Sequence, residues 1–514
     1  MTYREFVKSQ RRNNPCLAGL DRFFSEPDLD RSRCRILSLT FPGDGKSSKS
    51  LHEFLEIEDL PSVIYCNRLK GTGRILVIED LCQDIIELLG TACKIDPLFF
   101  ASHLHAPFRD MDAQTPNLAI LPSRMRQQNF INTHYHRTIE IQENIENVTG
   151  LVRDMNVSRK VSVLAPLVGR RVSLIQHACS VLLFDEGKPE QGWLCMYSGD
   201  ICGIMQANER VSHSGIILVD PPLVNGFISV RHDYEKQTAS ARRHISCRLS
   251  LNGYEDFLEP QLTAFGAEYP CIAPSRDSLL DDLVYYWDRE PPPSFDRRNP
   301  TLLALSCYPL KIVAAEWVTY MAAMSSNIKG HEYAVEKLRG HYTELDILNV
   351  DLRSLQIWRR RSLASQQKIT AIKRFIILQE KKAANDLYSD ECAALLDDFE
   401  YLSHTLSDYS IRLENMLPVV TSLVQISDSR RSLAESVNIS RLTSLAFIFV
   451  PLTFTTGLFS MNTINGPGGK YFWVYFAVAI PVTLLVFIIA RPPAYIFRWL
   501  YAHLRSDKAT QTPV

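Results

Sequence analysis

Seven residues near the C-terminal end of the chain step by threes and fours: Ile439, Leu442, Ala446, Val450, Thr453, Gly457 and Ser460. On an α-helix this spacing puts them on one stripe. The stripe begins apolar and ends in small or hydroxylic groups able to meet water. Met461 and Asn462 follow directly, where an apolar span ends, and that placement points to ion passage. Periodicity alone leaves two readings open. The stripe suits parallel copies of one helix packed about an axis, as in a pore. It equally suits a plain helix-packing face, since small residues favour close contact.

Other residue sets offer less chemistry. Gly45-Lys46-Ser47 has the ending of a phosphate-binding loop, but the first glycine of that motif would fall at position 40, which is Thr40. A surface loop is the reading for residues 42–50. His103 and His105 flank Leu104, and His134 and His136 flank Tyr135. In a strand either pair would face one way and could hold a metal. No cysteine or carboxylate completes a ligand set at useful spacing, so polar surface is the expectation. Trp358 precedes Arg359-Arg360-Arg361, which reads as a solvated basic face. No Ser-His-Asp order or paired carboxylates mark a catalytic site, and the chain reads as a non-enzyme without cofactors.

Composition is that of an ordinary globular protein, 46% hydrophobic with net charge -1, so nothing points to nucleic acid. The polar segment Met1–Gln10 is not a secretory signal. The twelve cysteines contain no CxxC pair and read as reduced, mostly buried thiols. Strand-like runs at 35–41, 74–78, 161–168, 172–184, 192–197 and 215–219 alternate with helical patterns such as 79–91, where Leu81, Ile85, Leu88 and Leu89 share a face. The fold class is α+β: a mixed sheet with flanking helices, then a long stalk helix and two C-terminal transmembrane helices.

The expected boundaries are 1–270 for the α/β part and 271–385 for a helical part of the same cytosolic domain. The stalk helix takes 386–441, with Pro418 as the place for a kink. Transmembrane helices occupy 442–459 and 471–490, joined by an outer loop at 460–470 and followed by a tail at 491–514. Leu302–Ser325 is also strongly apolar, but it contains Lys311, Glu316 and Pro309 and reads as a buried soluble helix. No charge occurs from Leu442 to Gly469, nor from Tyr471 to Ala490. Arg430, Arg431 and Arg441 precede the first span, and Arg491, Arg498 and Arg505 follow the second. The loop holds only Lys470, so both termini are expected in the cytoplasm. Trp473, Tyr471 and Tyr475 fit an outer aromatic belt.

Pro451-Leu452-Thr453-Phe454, then Gly457, then an aromatic followed by Ser460-Met461-Asn462, resembles the CorA family of divalent-cation transporters, most of all its fungal CorA-like branch. Asn438–Thr443, Leu76–Asp80 and Ile95–Phe100 also resemble that group. The resemblance is strongest over roughly residues 400–500. It implies a homopentameric funnel whose pore is lined by the first span. The transported ion would be Mg²⁺ or another divalent cation. Asn462 would sit at the outer mouth, five amide oxygens bonding the water shell of an incoming ion, which binds transiently and through its waters. Met461 would hold the turn, Thr453 would form a deeper polar ring, and Val450, Leu442 and Ile439 would form apolar constrictions. The family's gating metals bind cytosolic carboxylates, for which Asp390, Glu391, Asp397, Asp398, Glu400, Asp408 and Glu414 mark a region. The plasma membrane is the expected site, with the vacuolar membrane as the alternative.

Two departures stand out. The family motif is Gly-Met-Asn, and Ser460 takes the glycine position. The loop Thr463–Lys470 has no acid to concentrate cations. Two alternatives therefore accompany Mg²⁺ transport: transport of Zn²⁺ or another divalent ion, and a membrane-anchored sensor or scaffold that does not conduct. The stripe has no His or Cys, which favours a hard, hydrated ion.

Overall fold

The computed structural model describes residues 1–26, 30–41, 51–65, 73–105, 121–125, 127–141, 151–157, 159–164, 172–184, 214–223, 227–230, 245, 247–258, 273–296, 300–337, 344–382, 386–460 and 472–490. These fall into two compact units. One comprises Met1–Lys337 with Asp351–Leu417, the other Leu338–Val350 with Pro418–Val514. The proposed strand at 192–197 and the mouth residues Met461 and Asn462 lie outside the described residues.

The first unit opens with α1 (Tyr3–Gln10) and α2 (Ala18–Ser25). Then come β1 (Arg35–Phe41), β2 (Leu51–Leu55), α3 (Leu60–Tyr65), β3 (Gly73–Glu79), α4 (Gln83–Cys93), α5 (Pro97–Leu104) and α6 (Pro122–Met125). The strands continue with β4 (Phe130–Ile141), β5 (Leu151–Asp154), β6 (Lys160–Val163), β7 (Val172–Phe184), β8 (Ser214–Val219), β9 (Phe227–Val230) and β10 (Cys247–Leu249). All ten strands join one mixed sheet in the order β2-β1-β3-β8-β7-β6-β5-β9, with β4 pairing β7 and β10. Every pairing is antiparallel except β3 with β8.

The central strands carry Ile, Leu and Val on both faces because both faces are covered. Ile75, Leu76, Val77 and Ile78 of β3 are all buried. On one side Leu76 and Ile78 join a core with α1, α2, α4 and α5. Packing there is close: a Cβ at Gly90 of α4 would run into the Tyr3 ring. Near the other end of the domain, Phe41 of β1 meets Trp287 of α7 (Leu279–Arg289) with ring centroids 5.6 Å apart.

The helix expected at 79–91 begins four residues later. Glu79 stays in the ladder, paired with Arg35 on one side and Val219 on the other. Asp80 then turns the chain in the left-handed region at φ 56°. The sheet's hydrogen bonds override the helical pattern over these residues. Among the described residues, the strand expected at 161–168 ends at Val163.

The helical part contains α8 (Leu302–Lys337), α9 (Glu344–Glu380) and α10 (Asp386–Ser460). In α8, 83% of the most apolar window is buried inside the chain, so this stretch is a core helix. Glu316 sits on it because Arg137 of β4 reaches across to it at 2.7 Å, both side chains being 2% exposed. Helices α9 and α10 run antiparallel: Lys373–Glu400 (3.4 Å), Gln366–Ser403 (3.0 Å), Ser362–Ser410 (3.1 Å) and Arg359–Glu414 (3.9 Å) tie successive levels. Leu355, Trp358, Ser362, Ser365, Ile369, Ile372 and Ile376 form the buried seam of α9; Cys392, Leu395, Phe399, Leu402 and Leu406 form that of α10. Both step by threes and fours, as side-by-side helices require.

Helix α10 has both Pro418 and Pro451 inside it. The second unit holds its stretch from Pro418 onward and α11 (Phe472–Ala490), a 19-residue apolar helix. At about 1.5 Å per residue, α11 is nearly as long as a bilayer core is thick.

Candidate functional site

The apolar end of α10 packs on α11 along one face only. Pro451 and Thr455 are buried, Ser444, Phe447 and Phe459 partly so, and Ala479 of α11 is buried opposite. The Thr456 hydroxyl lies 2.9 Å from the Tyr475 hydroxyl. Phe459 meets Tyr475 edge to face with ring centroids 5.9 Å apart. An aromatic read from sequence as part of a belt thus also fixes the helix pair. Hydroxyls along both helices donate to carbonyls one turn back: Thr443 to Ile439, Ser444 to Ser440, Thr453 to Phe449 and Thr483 to Ala479, at 2.6–2.8 Å. Such bonds satisfy the donors in surroundings without water.

The stripe named from sequence occupies a different face from this contact. Ile439, Leu442 and Val450 are 64%, 69% and 65% exposed. Ala446, Thr453, Gly457 and Ser460 are exposed as well. A Cβ built on Gly457 meets nothing within 4 Å. All seven residues share one continuous helix, so the structure brings them into one open row. Thr453 spends its proton on the Phe449 carbonyl at 2.6 Å, which leaves its oxygen free to accept from an ion's water shell.

Ser460, expected in the outer loop, is the last residue of α10, and its φ is not positive. Serine therefore needs no conformation reserved for glycine there. Continuing the same stepping toward the N-terminus adds Glu435, Ser432 and Asp428, all exposed. Sequence reading stopped at Ile439 and missed them; extending the three–four period by about three turns finds them. Glu435 is held 3.3 Å from Arg431.

In the first unit four of the seven acids thought to mark a region have ordinary partners. Glu400, Asp408 and Glu414 face Lys373, His404 and Arg359. Glu391 is largely buried and accepts from the Ser294 backbone N–H and hydroxyl. Asp398 lines a cavity of about 580 Å³ together with Glu255, Asp256, Lys311, Phe257 and Tyr401. Burial raises the Asp398 pKa against the pull of Lys311. Among the described residues, no three His, Cys, Asp or Glu side chains are grouped to hold a metal ion.

The histidines are not polar surface. His103 lies in helix α5, not in a strand, and is fully buried with Nδ1 2.8 Å from the Ser180 hydroxyl. Burial pushes its pKa down to about 3, with nearby Asp220 pulling the other way. His134 and His136 do share a face of β4. The His134 Nε2–H donates to the Ser102 carbonyl at 3.0 Å. Burial holds both rings neutral, assisted by the positive charges of Arg159 and Lys368 at His134 and of Lys368 and Arg361 at His136. Between them and β8, Arg159 grips Asp220 with two bonds of 2.7 and 2.9 Å, and Asp220 also takes the Ala178 N–H at 2.8 Å. This network ties α5, β4, β7 and the end of β8 together. Sequence signalled none of it, because Arg159, Ala178 and Asp220 are far apart in the chain.

No curated protein matches the chain. Residues 308–497 match the family model described as CorA-like Mg2+ transporter protein. The matched stretch starts in α8 and takes in α9, α10 and α11, the helices just described. Two solved structures are similar over most of their length. The CorA magnesium transporter from Methanocaldococcus jannaschii is 10% identical, with 89% of this chain and 98% of that chain covered at a TM-score of 0.36. The full-length CmaX protein is 13% identical, with 91% and 98% covered and a TM-score of 0.36.

Proposed function

We propose that this chain is a CorA-like transporter that passes divalent cations, Mg²⁺ first among them, across a membrane. The observation that carries the reading is the match of residues 308–497 to the CorA-like Mg²⁺ transporter family, which includes the helix bearing the open stripe. A homopentamer would put five copies of that stripe around one axis and cover apolar side chains such as Leu442 and Val450, which none of the described residues covers. The Thr453 oxygens would then form an acceptor ring suited to an ion that keeps its waters. Ile439, Leu442 and Val450 would gate by dewetting, and Asp428 and Glu435 would attract cations at the cytoplasmic end. Asn462 would receive the hydrated ion at the outer mouth. Both termini face the cytoplasm, by the arginine flanks, and the plasma membrane is the proposed site.

The membrane potential suffices as the driving force. A doubly charged ion gains about 4.6 kcal/mol per 100 mV on entry. The test is Mg²⁺ flux into liposomes together with the subunit count by native mass spectrometry. Asn462→Ala should abolish flux and leave the oligomer intact. Unchanged flux defeats the assigned mouth, and a monomer defeats the pore. Competition by Zn²⁺ in the same assay decides the ion. Flux that appears only after Ser460→Gly would favour the non-conducting reading of the natural chain.

A further inference from the structure

We propose that the face of α9 bearing Arg361 and Lys368, together with Lys160 of β6 and His136 of β4, binds a polyphosphate group. This site lies in the first unit and stands independently of ion transport. Arg361 and Lys368 are seven residues apart, so they sit two turns apart on one side of the helix. Both are partly buried and flank the seam of Trp358, Ser362, Ser365 and Ile369. The basic run expected to be a solvated face is therefore split: Arg359 and Arg360 are exposed, and Arg361 turns inward over the Trp358 ring, 5.3 Å from its centroid.

The charge balance there differs from that around Arg137 and Arg159. Arg137 has Glu316 at 2.7 Å and Arg159 has Asp220 at 2.7 Å. Among the described residues, no carboxylate pairs with Lys160, Arg360, Arg361 or Lys368. Burial lowers the pKa of Lys160, and Arg361 and Arg360 lower it further. Burial pushes Lys368 down to about 8, with Arg159 adding to the effect. Arg361 and Lys368, like charges partly withdrawn from water, are relieved by an anion that exposed Lys160 and Arg360 can also reach.

The polar atoms beside these cations fit that occupant. His136 is stacked on Tyr320 with ring centroids 5.6 Å apart, and its Nδ1 is buried without a hydrogen-bond partner, as is Nδ1 of His134. Neutral imidazole nitrogens can bond a protonated phosphate oxygen or the water it carries. The Arg361 guanidinium, stacked on an indole, keeps a planar fork of donors for two phosphate oxygens. Several cations spread over two elements suit a chain of phosphates better than a single carboxylate.

The experiment is thermal unfolding of the detergent-solubilised full chain in Mg²⁺-free buffer with EDTA. Sodium tripolyphosphate and ATP are the probes, and sodium sulfate at matched ionic strength is the control. Tripolyphosphate should raise Tm well beyond sulfate, because a ligand of the folded state stabilises it by mass action. An equal rise with ATP assigns the site to the triphosphate alone, and a larger rise with ATP adds the nucleoside; either supports the proposal. Lys368→Met and Arg361→Gln should weaken binding by about tenfold or more. If these partly buried positions fail to fold, the exposed pair Lys160→Gln with Arg360→Gln should weaken it by a similar factor. Arg374→Gln, exposed on another face of α9, should leave it unchanged. A rise no larger than with sulfate, or equal binding in every folded variant, overturns the proposal.

Discussion

Two apolar stretches of this chain, Leu302–Tyr333 in α8 and the far end of α10, are both long and apolar enough to cross a membrane, yet their surroundings are opposite. The most apolar window of the first is 83% buried inside the chain; that of the second is 11% buried. Composition does not separate them, but the polar residues they carry do. Glu316 on α8 has a sheet arginine waiting for it, so the helix is tied to a protein interior. The hydroxyls of α10 between Ile439 and Ser460 turn back on their own helix or meet Tyr475, which is how a segment without water satisfies its donors. A buried soluble helix imports partners from elsewhere in the fold, and a bare apolar helix supplies its own.

The largest expected effect tests the α8 side. Glu316→Ala strands the buried Arg137 and should destabilise the first unit by about 3–5 kcal/mol in urea denaturation followed by tryptophan fluorescence. Replacing both partners, Arg137→Met with Glu316→Leu, should recover most of that loss. If the single change is silent, α8 is not held as described. The second test uses the same low-polarity interior. Burial raises the Asp80 pKa to about 7, against the backbone N–H groups of Asn156 and Val157. The folded state thus keeps a proton that the unfolded chain releases near pH 4. This contribution to stability is complete below about pH 4 and declines by roughly 1.4 kcal/mol per pH unit up to about pH 7. Asp80→Asn tolerates the left-handed backbone and should remove that slope, which melting curves from pH 4 to 8 would show. The smallest effect belongs to the bare region. Thr456→Val breaks the bond to Tyr475 and should cost about 0.6 kcal/mol in the α10–α11 pair, measured by steric trapping in bicelles. A loss several times larger would mean that the pair depends on that single contact.

Periodicity made the long helices legible. The pattern from Leu387 to Phe459 is continuous because α10 is continuous, and the packing of α8 runs beyond its apolar run to Ile328 and His331. The sheet was read in part. β1, β7 and β8 are mostly apolar, whereas β4 was passed over since Asn132, His134, His136 and Arg137 break its apolar character. Those polar groups are paid for by partners on α5, α8 and β7, which no local pattern reveals. The stripe was legible as spacing, and its openness required the structure, because only the packing of α11 shows which face remains free. Residues Met461 and Asn462 lie outside the described residues, so their role rests on the motif.

The parallel pairing of β3 with β8 also bears on how this chain folds. Arg74 meets Ser214 only after β4, β5, β6 and β7 have been made, so the middle of the sheet closes across a long stretch of chain. Closing such a loop precedes any reward from the contacts it brings, and topologies of this kind fold slowly. Until Ser214–Val219 docks, one edge of β3 and the end of β7 are open for pairing with other chains. Where several copies are made close together, that interval is when strand exchange or aggregation competes with folding.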